Sequence, residues 1–202
     1  MTASAQTFVP HASGARCSAW IERFAGLVAP GARVLDVASG HGRHARLFAA
    51  RGCRVVAVDR DAAALAALAG EPHIETRVLD LERGGPVLGG ERFDAIVVVN
   101  YLHRPLLPEL LATLADDGIL LYETFARGNA AYGRPANPDF LLEPGELLQV
   151  IAGRLAAVAF EQGHVCAVDR EAVIQRIVAV GPGRRWPPSL PAGSAPGTAA
   201  VE

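Results

Sequence analysis

The sequence predicts an α/β fold: a doubly wound, mostly parallel, seven-stranded sheet with an antiparallel C-terminal edge hairpin. Three observations carry this. Short apolar runs alternate with helix-patterned segments across residues 34–122, as expected for parallel strands buried on both faces beneath crossover helices. The first run passes into a Gly-x-Gly turn that opens a helix. The last two runs, 156–160 and 172–180, have no helix between them, so they pair as antiparallel neighbours at the sheet edge.

Residues 1–14 are small and polar and read as a flexible arm. Residues 18–29 set Trp20, Phe24, Leu27 and Val28 at helical spacing, predicting an amphipathic helix that Pro30-Gly31 ends. The first strand, 34–37, is interrupted by Asp36; helix 43–51 follows and Gly52 stops it. Strand 54–59 ends in Asp59, and Asp61 is placed to cap helix 62–69. Strand 74–79 runs to Asp80, and strand 93–99 to Asn100. Residues 105–115 read as a helix, Asp116-Asp117-Gly118 as a turn and 119–122 as the fifth strand. Residues 124–143 lack periodicity and hold Arg127, Tyr132, Arg134 and Asn137; irregular stretches of this length are usually functional or disordered. A helix at 144–155 precedes the final strands, joined around Gln162-Gly163-His164. The single folded domain is expected over 15–180, with a disordered Gly/Pro/Ser/Ala tail at 181–202.

Half of the 202 residues are hydrophobic and 20% are charged, a globular composition for one domain. A net charge of -2 gives no general attraction to nucleic acid or an anionic membrane, so neither is expected as a partner. Cys17, Cys53 and Cys166 form no C-x-x-C pair; they read as reduced, mostly buried thiols, with no metal site. There is no secretory signal pattern and no apolar run of the ~20 residues that spans a bilayer. A soluble, cytoplasmic monomer or homodimer is the expectation.

Open parallel sheets bind ligands outside the carboxyl ends of their strands, at the topological switch point. Gly40, Asp59, Asp80 and Asn100 all stand where a predicted strand finishes, so they converge on one edge. Taken alone, Gly40-x-Gly42-x-x-Ala45 also fits a dinucleotide fingerprint. Asp59, 19 residues beyond Gly40, suits the ribose of any adenosine ligand. Asp36 ahead of the turn favours a ligand with cationic character over a pyrophosphate, and the chain leaves no room for a separate substrate domain.

Leu35-Asp36-Val37-Ala38-Ser39-Gly40-His41-Gly42 resembles the first motif of class I S-adenosylmethionine-dependent methyltransferases, with Ala38 where a glycine is usual. Asp59 resembles their ribose-binding acid, Asp80-Leu81 their adenine-side pair and the 93–100 stretch their fourth-strand motif. Within that superfamily, Asn100-Tyr101-Leu102-His103 and Asn137-Pro138-Asp139-Phe140 are most similar to small bacterial enzymes of the tellurite-resistance type. The resemblance implies a Rossmann-like fold and S-adenosylmethionine as cofactor. It implies cofactor contacts from Asp36, Ala38, Ser39, Gly40, His41, Gly42, Asp59, Arg60, Asp80, Leu81 and Asn100.

Methyl transfer needs positioning and a dry pocket more than an obligatory base. His103 is the best-placed base where the acceptor must lose a proton, with Tyr101 to orient it. Arg16, Arg104, Glu123, Arg127, Tyr132 and Arg134 are the candidate acceptor contacts; guanidinium forks match carboxylates and oxyanions. The acceptor is expected to be a small molecule, anionic if those arginines face it. Asn100 is not followed by the prolines and aromatic residue of adenine-N6 DNA methyltransferases, which also argues against nucleic acid. Two alternatives stay open: a non-catalytic S-adenosylmethionine-binding regulatory or partner subunit, and an NAD-dependent oxidoreductase.

Overall fold

The computed structural model describes residues 16–167 and 170–191. The arm expected at 1–14 lies outside them, as does the tail from 192 onward. Seven strands form one sheet: β1 (Arg33–Val37), β2 (Arg54–Asp59), β3 (Ile74–Val78), β4 (Phe93–Val99), β5 (Leu114–Phe125), β6 (Ala156–Ala167) and β7 (Arg170–Val180). Their order is β3-β2-β1-β4-β5-β7-β6. The first five are parallel, and β7 runs antiparallel between β5 and β6. The chain reverses its direction of sheet growth between β1 and β4, which makes the carboxyl ends of those two strands the switch point.

Continuous apolar runs fit strands covered on both sides. Leu35, Val37, Val56, Val58, Ile96 and Val98 share one face with α4 (Leu107–Thr113) and α5 (Glu146–Ile151). Val34, Val55, Ala57, Ala95 and Val97 share the other with Trp20, Ile21 and Phe24 of α1 (Ala19–Phe24) and Ala45 and Phe48 of α2 (Arg43–Ala50). Trp20 is core, as packing rather than a lid role requires. A short α3 (Ala62–Ala66) begins at Asp61, whose carboxylate accepts the Ala63 and Ala64 N–H groups as expected of a cap.

Several boundaries differ from the sequence reading. The 18–29 helix is α1 plus a 3₁₀ turn, Ala25–Leu27, with Gly26 inside the turn. The helices at 62–69, 105–115 and 144–155 are shorter than their patterns; α4 follows a 3₁₀ turn, Arg104–Leu106, and left-handed Gly145 starts α5. The predicted Asp116-Asp117-Gly118 turn is a bulge within β5: Phe93 pairs with Leu114, but Ala95 pairs with Ile119. The final hairpin does not turn at Gln162-Gly163-His164. Those residues pair with Gln175, Ile174 and Val173. The hairpin continues past the covered sheet, where a ladder of backbone hydrogen bonds needs no apolar pattern.

Beyond β7, the Gly181 N–H donates to Gly118 O at 2.9 Å and the Gly183 N–H to Asp116 O at 2.8 Å. The Arg184 guanidinium donates to Leu27 O at 2.6 Å. Of the three free cysteines, only Cys53 is buried; Cys17 is half-buried and Cys166 exposed. Among the described residues no helix is long and apolar enough to cross a membrane.

Candidate cofactor and acceptor site

The turn after β1 is tied to β2. Ser39 N–H donates to Val58 O at 3.0 Å, and Gly40 N–H to the Asp59 carboxylate at 2.8 Å. The other Asp59 oxygen accepts the Asp61 N–H at 2.9 Å. This acid thus shapes the glycine turn. A carboxylate has about four lone-pair sites, so capacity for a diol remains. Ala38, Gly40 and Gly42 all have positive φ, at 51°, 54° and 73°. At Gly42 an added Cβ would meet the Leu68 side chain at 2.4 Å, so a larger residue there would have to displace a core leucine. Ala38 holds the same hand of backbone with a methyl group, at a cost of about 1 kcal/mol.

Asp36 lies on the α2 side of the sheet and is 1% exposed. Gly42, the N-cap of α2, supplies no side-chain cap. The Ala45 N–H in the first turn of α2 faces the charge of Asp36 in the strand beneath and favours its ionised form. Burial pushes the Asp36 carboxyl up to about 7; the Ala45 N–H and the Arg43 charge oppose this, and Asp59 adds to it. Its Oδ2 has no partner among the described residues, and neither do the buried Ser39 Oγ, His41 Nδ1 and Tyr101 Oη. These orphan atoms gather at the ends of β1 and β4, whereas buried polar atoms elsewhere are, with the exception of Trp20 Nε1, bonded.

On the far side of the turn, exposed Asp80 accepts the Glu82 N–H at 3.0 Å, while the Leu81 side chain is core. Arg60 is 3.9 Å from Glu82. The Tyr101 hydroxyl is held above its ordinary pKa by burial first, then by the charge of Glu82. Asn100 takes a left-handed φ of 59° and donates its N–H to Glu123 O at 2.9 Å; Asn tolerates that conformation better than most residues. His103 heads the 3₁₀ turn without a side-chain cap bond and is half-buried. Capping therefore does not occupy its ring.

The candidate acceptor contacts divide. Arg104 forms a two-pronged ion pair with Glu146, at 2.7 and 2.9 Å, and donates to Asp139 O and Leu141 O. It clamps residues 139–146 and is spent there. Arg127 is paired with Glu143. Glu123 is buried and turned inward, accepting from Ser18 Oγ at 3.1 Å and Arg176 at 3.4 Å. Tyr132 stacks on His164 with ring centroids 4.3 Å apart. Arg134 and Arg16 are exposed with no side-chain partner recorded among the described residues; the Arg16 carbonyl accepts from Arg43 at 3.1 Å.

Three structural ties escaped the sequence reading. Ser18 caps α1 through its side chain and donates its N–H to the buried His44 at 3.2 Å. Arg176 bridges Glu123 and Glu161, lying over Trp20 at 4.8 Å. Buried Asn129 donates to Pro135 O and accepts the Val173 N–H, each at 3.0 Å, knotting residues 129–135 to the hairpin. Ser18 ahead of a Trp-x-x-x-Phe pattern was a readable cap; the other two depend on contacts between distant segments.

A parallel sheet in this order, with a hairpin behind β5 and a glycine turn tied to a strand-end acid, defines the class I methyltransferase architecture. Residues 9–181 match the model of a family described as a methyltransferase domain. The chain belongs to that family.

TehB from Haemophilus influenzae is similar with a TM-score of 0.64 and 17% identity, over 80% of this chain and 61% of that one. The chain therefore spans less than two thirds of TehB. The Burkholderia thailandensis 1,6-didemethyltoxoflavin-N1-methyltransferase, solved with 1,6-didemethyltoxoflavin and S-adenosylhomocysteine, has a TM-score of 0.58 and 23% identity over 80% and 76%. The Bradyrhizobium japonicum N-methyltransferase NodS, solved with S-adenosylhomocysteine, has 0.60 and 17% over 80% and 83%. At these identities the likeness is one of fold. No curated protein sequence matches the chain.

Proposed function

We propose that this methyltransferase acts on a small, anionic acceptor. The observation that carries the site is the gathering of orphan buried polar atoms, Asp36 Oδ2, Ser39 Oγ and Tyr101 Oη, at the switch point of the sheet. Those residues fit S-adenosylmethionine, which supplies an electrophilic methyl group on a sulfonium when bound. The N–H groups around Gly40, His41 and Gly42 at the start of α2 suit its carboxylate. Asp36, with Ser39, suits its cationic end; Asp59 suits its ribose, and Asp80 with the Leu81 N–H suits its adenine. Ala38 shapes the turn, and Asn100, Tyr101 and Arg60 flank the adenosine.

His103 takes up a proton where the acceptor must lose one, and the half-buried Tyr101 helps exclude water. The anionic preference now rests on Arg16 and Arg134, since Arg104 and Arg127 are paired. Two of the structural neighbours are N-methyltransferases by name, one of them solved with a small heterocyclic ligand, which supports a small acceptor here.

Calorimetry with S-adenosylmethionine and S-adenosylhomocysteine, followed by methyl-release assays on panels of anionic and neutral acceptors, tests the reading. Binding of NAD with silence for both adenosyl ligands sinks it; preference for neutral acceptors overturns the anionic part. Asp59→Ala should weaken S-adenosylmethionine binding at least tenfold in a folded protein. Unchanged affinity would mean that the ribose assignment is wrong.

A further inference from the structure

We propose that Asp36 gives up a proton when S-adenosylmethionine binds, so that cofactor docking is coupled to proton release from a carboxyl group sealed beneath the glycine turn. This rests on the reading that the turn after β1 holds the cofactor's methionine end.

The geometry comes first. Asp36 is 1% exposed, and its Oδ2 has no partner among the described residues. The surrounding charges are few. Arg43 acts on it from α2 and Asp59 from β2, and the half-buried Cys17 thiol ahead of α1 senses its charge. His44, next on α2, turns its ring to Ser18. Ala57 and Val97, its register partners in the sheet, bring no charge. A carboxylate with only one backbone N–H and one partial counter-charge acting on it is poorly compensated for its lost hydration, and the neutral acid is the form this environment favours. An entering sulfonium and ammonium supply the missing counter-charge. The O–H bond of the acid then breaks, the proton leaves to solvent, and the carboxylate stays as partner of the cation. No other bond changes.

Linkage fixes the size of the effect. With the free carboxyl near 7, affinity for S-adenosylmethionine should rise about fivefold from about pH 6 to about pH 7. Near pH 7 about half a proton should leave per site. Calorimetry in two buffers of different ionisation enthalpy measures that number for the full chain and for Asp36→Asn. Protons exchanged elsewhere on binding are common to both proteins and cancel in the comparison.

The expected result is proton release in the wild type that the Asn variant lacks, with a flatter pH dependence of its affinity. S-adenosylhomocysteine keeps the ammonium and lacks the sulfonium; release with both ligands assigns the ammonium, and release with S-adenosylmethionine alone assigns the sulfonium. Should the Asn variant not fold, infrared difference spectra of the wild type decide, because a protonated-carboxyl band must vanish on binding. Tight binding with equal proton counts in both proteins, or with no loss of that band, overturns the proposal and leaves the cofactor reading intact. Failure of S-adenosylmethionine to bind at all sinks the cofactor reading itself.

Discussion

Gly42 excludes a side chain twice over, by its φ of 73° and by the 2.4 Å that would separate an added Cβ from Leu68. Gly42→Ala should cost about 1–3 kcal/mol in chemical denaturation, combining left-handed strain with overpacking. Asp36 carries the reverse kind of penalty, one that depends on pH. Its folded-state pKa is raised above the unfolded value, so the native state binds more protons between about pH 4 and about pH 7. Stability from this group is full below that window and lost as pH rises through it. Asp36→Asn should therefore gain stability relative to the cofactor-free wild type at about pH 8 compared with about pH 5, as urea titrations at both values would measure. The signals for Gly40, Gly42 and Asp59 were local in sequence and could be read directly. That Asp36 is buried with an oxygen left unpartnered could not, because this depends on what the helix above the strand covers.

Among the elements, the segment between β5 and β6 shows where periodicity fails. Residues 126–145 have no repeating apolar face; Ala126, Leu141 and Leu142 anchor them in the core, and polar ties hold the rest: Arg104 on Glu146 and two carbonyls, Arg127 on Glu143, and Asn129. Arg104 read as an acceptor contact because an arginine beside a strand end has the right chemistry for one. Its partners lie 35–42 residues further along the chain, a pairing that spacing does not reveal. A double-mutant cycle on Arg104→Ala and Glu146→Ala should give a coupling of about 1 kcal/mol for this partly exposed two-pronged pair. Arg104→Ala should also raise amide exchange across residues 139–146. Unaltered exchange there would mean that the segment is ordered without the clamp.

For the whole molecule, the strand count, the parallel order and the edge hairpin were legible because the central strands are mostly apolar runs between turn residues. The true length of the hairpin was not, since its outer half has no covered face to impose a pattern. The candidate residues at the strand ends could be picked out because a sheet of this order places its switch point there. Ligand linkage offers a test at this scale. At about 100 times its dissociation constant, S-adenosylmethionine should stabilise the fold by about 2.7 kcal/mol. For a chain of this size that is a rise in Tm of about 5–10 °C, measurable by differential scanning calorimetry.

The Asn129 knot divides the molecule's future as well as its surface. One buried amide fastens residues 129–135 to β7, while the turn after β1 is fastened separately to β2. No strand is shared between the two fastenings. Substitutions in the irregular segment can therefore accumulate without disturbing the glycine turn. On the function proposed above, a lineage built on this chain would exchange acceptor contacts in that segment while the glycine turn stayed as it is.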